Sequence, residues 1–143
     1  MSNLSKNFTV EEMACPLTGE CKLQKGWIEL LQQLRDHCGF PFVIAKGKGG
    51  GCRSQALNKS MKDASPNSFH LIGNKKYKTD TCAVDIATNN YPIEIRDKRR
   101  GEIIDHAKAM GLSVIVYPAH IHVDARTRFA GLPVFHSTGI YKK

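Results

Sequence analysis

The sequence predicts an α+β domain in which a small antiparallel sheet packs with helices. Three observations predict it. Trp27, Leu30, Leu31, Leu34 and Cys38 recur at helical spacing. Short apolar runs with β-branched members fall at 42–45, 83–87, 113–117 and 120–125. Between the second and third of these runs lies a Pro-led segment with Ile103, Ile104, Ala107 and Met110, which reads as a second helix. At 143 residues the chain is a normal size for one core. No repeat, low-complexity stretch or linker divides it, so 1–143 is read as a single domain.

In chain order, residues 1–24 read as an irregular arm, because Pro16 and Gly19 break any period. The helix over 27–38 carries an apolar stripe that belongs to the core, and Gly39 stops it just before Pro41. A strand follows at 42–45. Residues 46–53 contain four glycines in eight. The G-x-x-x-x-G-K-[ST] pattern is absent, which argues against a nucleotide site and for a flexible loop that brings Arg53 into a cleft. Ser54 caps a short helix to residue 60, and 61–82 is mostly polar loop. After the strand at 83–87, a helix runs from Pro92 to Gly111 with a break near Gly101. Two strands, 113–117 and 120–125, are joined at Pro118, and 127–143 reads as a basic, turn-rich tail.

Composition narrows the class without naming it. The net charge of +8 comes from 21 Lys and Arg against 13 Asp and Glu, and it favours polyanionic partners. The basic residues are spread along the chain, so a solvated surface is the ordinary reading of each cluster. No apolar run approaches the length of a bilayer span, and the N-terminus holds no uninterrupted apolar stretch of the secretory kind. Neither a helix-turn-helix, a paired-cysteine finger nor an aromatic RNA-binding motif is present, so nucleic acid is not the expected partner. Five cysteines, an odd number with no C-x-x-C pair, read as buried thiols made in a reducing compartment.

The chemistry concentrates in two places. In the segment from Ala119 to Arg126, side chains on a strand alternate, so His120, His122 and Asp124 share one face while Ile121, Val123 and Ala125 share the other. Upstream, Ser68-x-His70-x-x-Gly73 is followed by Ala83-x-Asp85. Asp85 is flanked by apolar residues and needs a partner, because an unpaired buried charge is costly. A metal ion held with His70 and His122 supplies one; an ion pair with a basic residue supplies another. The residues alone leave both open.

Together these motifs resemble the zinc D-alanyl-D-alanine carboxypeptidase and L-alanyl-D-glutamate endopeptidase family, which includes many phage endolysins and shares its fold with the Hedgehog signalling domain. The signature S-x-H-x-x-G-x-A-x-D, with a later H-x-H, is matched by Ser68, His70, Gly73, Ala83, Asp85, His120 and His122. The stretch from Leu4 to Thr9 and that from Cys52 to Asn58 also look like the phage-associated branch. The resemblance spans residues 4 to 126. It implies a Hedgehog-like fold, Zn2+ on His70, Asp85 and His122, catalytic assistance from His120, and an arginine, Arg53, that steadies the substrate or the developing oxyanion. Ser68 is implied to orient the site from behind.

Two departures stand out. Nine residues, not one, separate Gly73 from Ala83, so Asp80 or Cys82 competes with the assigned spacing. The glutamate that many relatives place shortly before the last ligand is missing from 114–119, so base duty falls to His120 or Asp124. The implied activity is hydrolysis of peptide bonds in the peptidoglycan stem or crosslink, with a D-Ala-D-Ala carboxypeptidase or a non-catalytic zinc-binding recognition module as alternatives. The implied protein is a monomer that inserts in no membrane. It is made in the cytoplasm and acts on the bacterial wall after release or as a virion component.

Overall fold

The computed structural model describes residues 2–140. Five strands form one open sheet: β1 (Val43–Ile44), β2 (Ala83–Ala87), β3 (Ser113–Val116), β4 (His120–Asp124) and β5 (His136–Ile140), in the spatial order β1-β2-β4-β3-β5. The α-helices among the described residues are α1 (Val10–Met13), α2 (Trp27–Cys38), α3 (Gln55–Ser60), α4 (Ile93–Ala109) and α5 (Arg126–Ala130). The architecture is therefore α+β with a mixed sheet.

Helical spacing in α2 turns Trp27, Leu31 and Leu34 inward, and all three are fully buried. The helix ends where Gly39, at φ 76°, takes the left-handed conformation that returns its N–H to Arg35 O. Helix α4 packs on α2 and sheet strands β3 and β4, burying Ile103 and Ala107. It runs through Gly101 without the expected break. One glycine costs a helix about 1 kcal/mol, less than burial of a side chain such as Ile103 returns.

The central pairing is β2 with β4, antiparallel, in a register that sets Asp85 opposite His122 and Ala83 opposite Asp124. Val84, Ile86, Ile121 and Val123 fill the core on the other face. The β3–β4 hairpin is closed by Tyr117 N–H donating to His120 O at 3.0 Å.

Three expectations are corrected. The sheet is not wholly antiparallel, because β5 runs parallel to β3. The region after residue 126 is not a tail up to residue 140: it forms α5 and β5, while 141–143 lie outside the described residues. The reason is the outer edge of β3, whose backbone needs partners. Val114 N–H finds Phe135 O at 2.9 Å, and Val116 N–H finds Ser137 Oγ at 2.9 Å. Nor is the N-terminal arm irregular throughout, because Thr9 and Glu12 form a reciprocal cap on α1 and Phe8 and Met13 enter the core. No helix among the described residues is long and apolar enough to cross a membrane.

Candidate metal centre

Each member of the site is fixed by its own local structure. Asp85 and His122 face each other across the β2–β4 ladder, so strand register alone brings them together. His70 comes from a loop. Its carbonyl accepts from Arg53 N–H at 2.9 Å and from Thr81 Oγ at 2.8 Å, and its own N–H donates to Ser68 Oγ at 3.2 Å. Ser68 thus holds the His70 backbone.

The side chains converge on a small triangle. His70 Nε2 lies 3.2 Å from Asp85 Oδ1, His122 Nδ1 lies 3.1 Å from the same oxygen, and the two nitrogens are 3.3 Å apart. All three residues are buried, and together they could hold a metal ion. The dimensions can be tested. Tetrahedral zinc with bond lengths of about 2.0 Å has ligand–ligand edges of about 3.3 Å, so the triangle fits one face of that polyhedron.

Each imidazole also has its second nitrogen committed. His70 Nδ1 lies 2.9 Å from Gly51 O, a pure acceptor, so Nδ1 carries the proton and Nε2 presents its lone pair. His122 Nε2 lies 2.7 Å from Asp124 Oδ2, which leaves Nδ1 facing the triangle. Carbonyl and carboxylate partners of this kind hold a ligating ring in the required tautomer and orientation.

Electrostatics agree with this division. Burial works against the Asp85 carboxylate, but the two imidazoles beside it, His70 and His122, outweigh it and hold its pKa well below the usual value. Burial lowers His70, which therefore stays neutral. Burial also opposes a charged His122, yet hydrogen bonds to Asp124 and Asp85 prevail and raise it to about 9. His120 is lowered, first by burial, with Asp85 pulling the other way.

The triangle opens onto a cleft of about 1120 Å³. His120 stands at its rim with a side chain 25% exposed, its Nε2 3.8 Å from Asp85 Oδ2. The Tyr117 ring stacks on it with centroids 4.5 Å apart. Arg53 lines the same cleft and is 6% exposed. Its Nε donates to Gly49 O at 3.1 Å and its Nη1 to Asn58 Oδ1 at 3.0 Å, which fixes the guanidinium plane. Lys48, Lys62 and Arg126 add positive charge to the walls, and Asp63 adds a carboxylate.

The structure thus gathers His70, Asp85, His122, His120 and Arg53 around one opening, and it places Asp124 elsewhere. Asp124 is 0% exposed, with Oδ2 shared by His122 and Arg126 Nη2 and Oδ1 accepting from Arg126 Nε at 2.9 Å. A carboxylate so occupied cannot take a proton from solvent in the cleft, so its assignment as base is corrected to support of His122. Nor do Asp80 and Cys82 replace Asp85: Asp80 accepts from Gly73 N–H at 3.0 Å, and Cys82 lies in the core. The inserted residues between Gly73 and Ala83 turn back through an Asn74–Thr79 bridge and stack Tyr77 on Phe69 at the cleft wall.

The glycine-rich segment is not a loose loop. A Cβ on Gly51 would meet Met13 O at 2.5 Å, and one on Gly50 would meet Ala45 O at 2.7 Å. These glycines let backbone pack on backbone, which is how Gly51 O reaches His70. Sequence reasoning missed this contact, the Asn58 clamp on Arg53 and the Tyr117 stack; the run Gly49-Gly50-Gly51 was the only available signal for the first. Comparison of the chain with protein-family models, curated proteins and solved structures returned no match.

Proposed function

We propose that this chain is a zinc-dependent peptidase that hydrolyses peptide bonds in the peptidoglycan stem or crosslink, an endopeptidase of the phage-endolysin kind with a Hedgehog-like fold. The observation that carries the reading is the buried triangle of two imidazole nitrogens and one carboxylate oxygen, open on one side to a cleft. Two nitrogens with one oxygen suit zinc better than calcium or magnesium, which prefer all-oxygen shells. Three protein ligands with an open position mark catalytic rather than structural zinc sites.

Zinc bound there would supply polarisation of the scissile carbonyl and acidification of water. The chain's own residues supply the rest. His120, neutral at pH 7 and held by Tyr117, accepts the proton of the attacking water and passes it to the leaving amine. Arg53, immobilised by Gly49 and Asn58, offers a fixed positive charge to the oxyanion, a contribution of about 3 kcal/mol in comparable sites. Lys48 and Lys62 make the cleft receptive to the carboxylates of stem peptides.

The test is digestion of purified peptidoglycan by the full chain, with a chelator and zinc add-back, read by mass spectrometry of the products. Split stems or crosslinks that disappear with chelator and with His122→Ala support the reading. Release of free D-alanine alone would assign the carboxypeptidase alternative. Stoichiometric zinc with no product in any fraction would leave a recognition module instead.

A further inference from the structure

Outside the lining of the cleft, two thiols face each other. Cys52 Sγ lies 3.8 Å from Cys21 Sγ, and both are free cysteines. They are 31 positions apart in sequence, so the approach is made by the fold. Cys52 is fully buried and follows Gly51, whose carbonyl holds His70; it precedes Arg53. Its N–H is tied to Met13 O at 2.7 Å. Cys21 is partly exposed and precedes Lys22, whose carbonyl accepts from Thr81 N–H at 3.2 Å; Thr81 Oγ in turn donates to His70 O. The Cys52 segment therefore holds His70 directly, and the Cys21 segment holds it through Thr81.

We propose that Cys21 and Cys52 are a disulfide-forming pair that locks the support of His70 when the protein meets an oxidising environment. The oxidant is a small-molecule disulfide of the glutathione type. Cys21, the reachable thiol, attacks as thiolate. Its sulfur bonds to one sulfur of the oxidant while the other leaves with the electron pair and is protonated. Cys52 then loses its proton, attacks Cys21 Sγ and expels the second thiol. Two protein thiols and one disulfide become one protein disulfide and two small thiols. The sulfurs have only roughly 1.8 Å left to close to reach a bond length of about 2.05 Å.

The arrangement selects this pair. The Cys52 S–H donates to Cys21, and that hydrogen bond, set against burial, lowers the Cys21 pKa, while the same bond and burial raise Cys52. Cys38 and Cys82 are both pushed up to about 12 by burial, which leaves little thiolate for a competing attack. Against burial, hydrogen bonds with Ser54 and Thr18 lower Cys15 to about 6, but at 1% exposure it is closed to the oxidant. Cross-linking across the intervening segment also restricts the unfolded chain, so the oxidised form is the more stable one.

The experiment uses the full reduced chain, incubated with oxidised glutathione, quenched with iodoacetamide in denaturant, and mapped without reductant. The expected result is one linked peptide pair containing Cys21 and Cys52, two hydrogens lighter than the sum of its thiols, with Cys15, Cys38 and Cys82 alkylated. The melting temperature rises by about 5 °C or more on oxidation and returns on reduction. Cys52→Ser changes a buried site, so Cys21→Ser is the control: its fold is kept and its melting temperature does not respond to the oxidant. Both cysteines alkylated after oxidation, or linkage to a different cysteine, would overturn the pairing. A Cys21–Cys52 bond with an unchanged or lower melting temperature would overturn the bracing role. Neither readout depends on peptidase activity.

Discussion

His122 and Asp124 lie two residues apart on one strand face, and His122 Nε2 approaches Asp124 Oδ2 to 2.7 Å. The same carboxylate is gripped by Arg126 through Nε and Nη2 at 2.9 and 2.7 Å. One arginine therefore fixes the carboxylate, the carboxylate fixes the imidazole, and the imidazole turns Nδ1 toward Asp85.

Asp124→Asn should weaken zinc binding by about 10- to 100-fold while leaving one site per chain. The amide keeps the shape but no longer holds the His122 N–H with a full charge. A competition titration against a fluorescent zinc chelator measures it. Unchanged affinity would remove Asp124 from the support of the metal centre.

Zinc uptake at pH 7 should release close to one proton per ion. In the metal-free chain burial disfavours charged His122, but Asp124 and Asp85 hold its proton up to about 9, whereas His70 is already neutral. A raised folded-state pKa stabilises the metal-free fold fully below the unfolded value of 6.5, and that stabilisation is lost as pH rises through about 9. Zinc competes with the same proton. Apparent affinity should therefore climb by up to about tenfold per pH unit from 7 to 9 and then level off. The melting-temperature gap between loaded and metal-free protein should widen over that window. Calorimetry in two buffers of different ionisation enthalpy counts the proton, and an affinity that falls between pH 7 and 9 would contradict the assignment.

Gly51→Ala should destabilise the fold by ~1–3 kcal/mol, because the new Cβ would stand 2.5 Å from Met13 O and backbone must shift to admit it. The shift carries Gly51 O away from His70 Nδ1, so zinc affinity falls as well. Gly47→Ala is the matched control, since a Cβ added there would meet nothing within 4 Å. Urea unfolding separates the two, and equal stability of both variants would refute the packing role of Gly51.

These contacts explain what the sequence made legible. Alternation along 120–124 was enough to put His120, His122 and Asp124 on one face, and apolar flanks marked Asp85 as a buried charge needing partners. Helices α2 and α4 announced themselves through Trp27–Leu31–Leu34 and Pro92. Roles along that strand face were less legible than positions. Whether Asp124 faced solvent or Arg126 depended on the turn into α5, where Arg126 N–H and side chain both fold back on the carboxylate. Strand β5 was hidden because residues 136–140 carry little apolar patterning and pair through Ser137 and backbone. The T-x-x-E cap at Thr9–Glu12 was present in the sequence, but one helical turn offers too short a period to stand out beside Pro16 and Gly19.

His120→Ala should separate metal binding from proton transfer. The side chain is partly exposed and is not a corner of the triangle, so zinc stoichiometry and melting temperature should change little. On a peptidoglycan stem peptide, kcat should fall by about 10²- to 10⁴-fold. The pH profile gives the sharper readout. Burial lowers the His120 pKa below 6.5, so at saturating zinc the parent chain's activity should decline as pH drops beneath that value, where the imidazole becomes charged and can no longer accept a proton. The variant should lose this acid-side inflection. Tyr117→Leu, which removes the stacked ring but not the imidazole, should keep the inflection and lower kcat less. A His120→Ala variant that retains both its rate and its acid limb would show that another group moves the proton, and Asp63, on the cleft wall, would be the next carboxylate to replace.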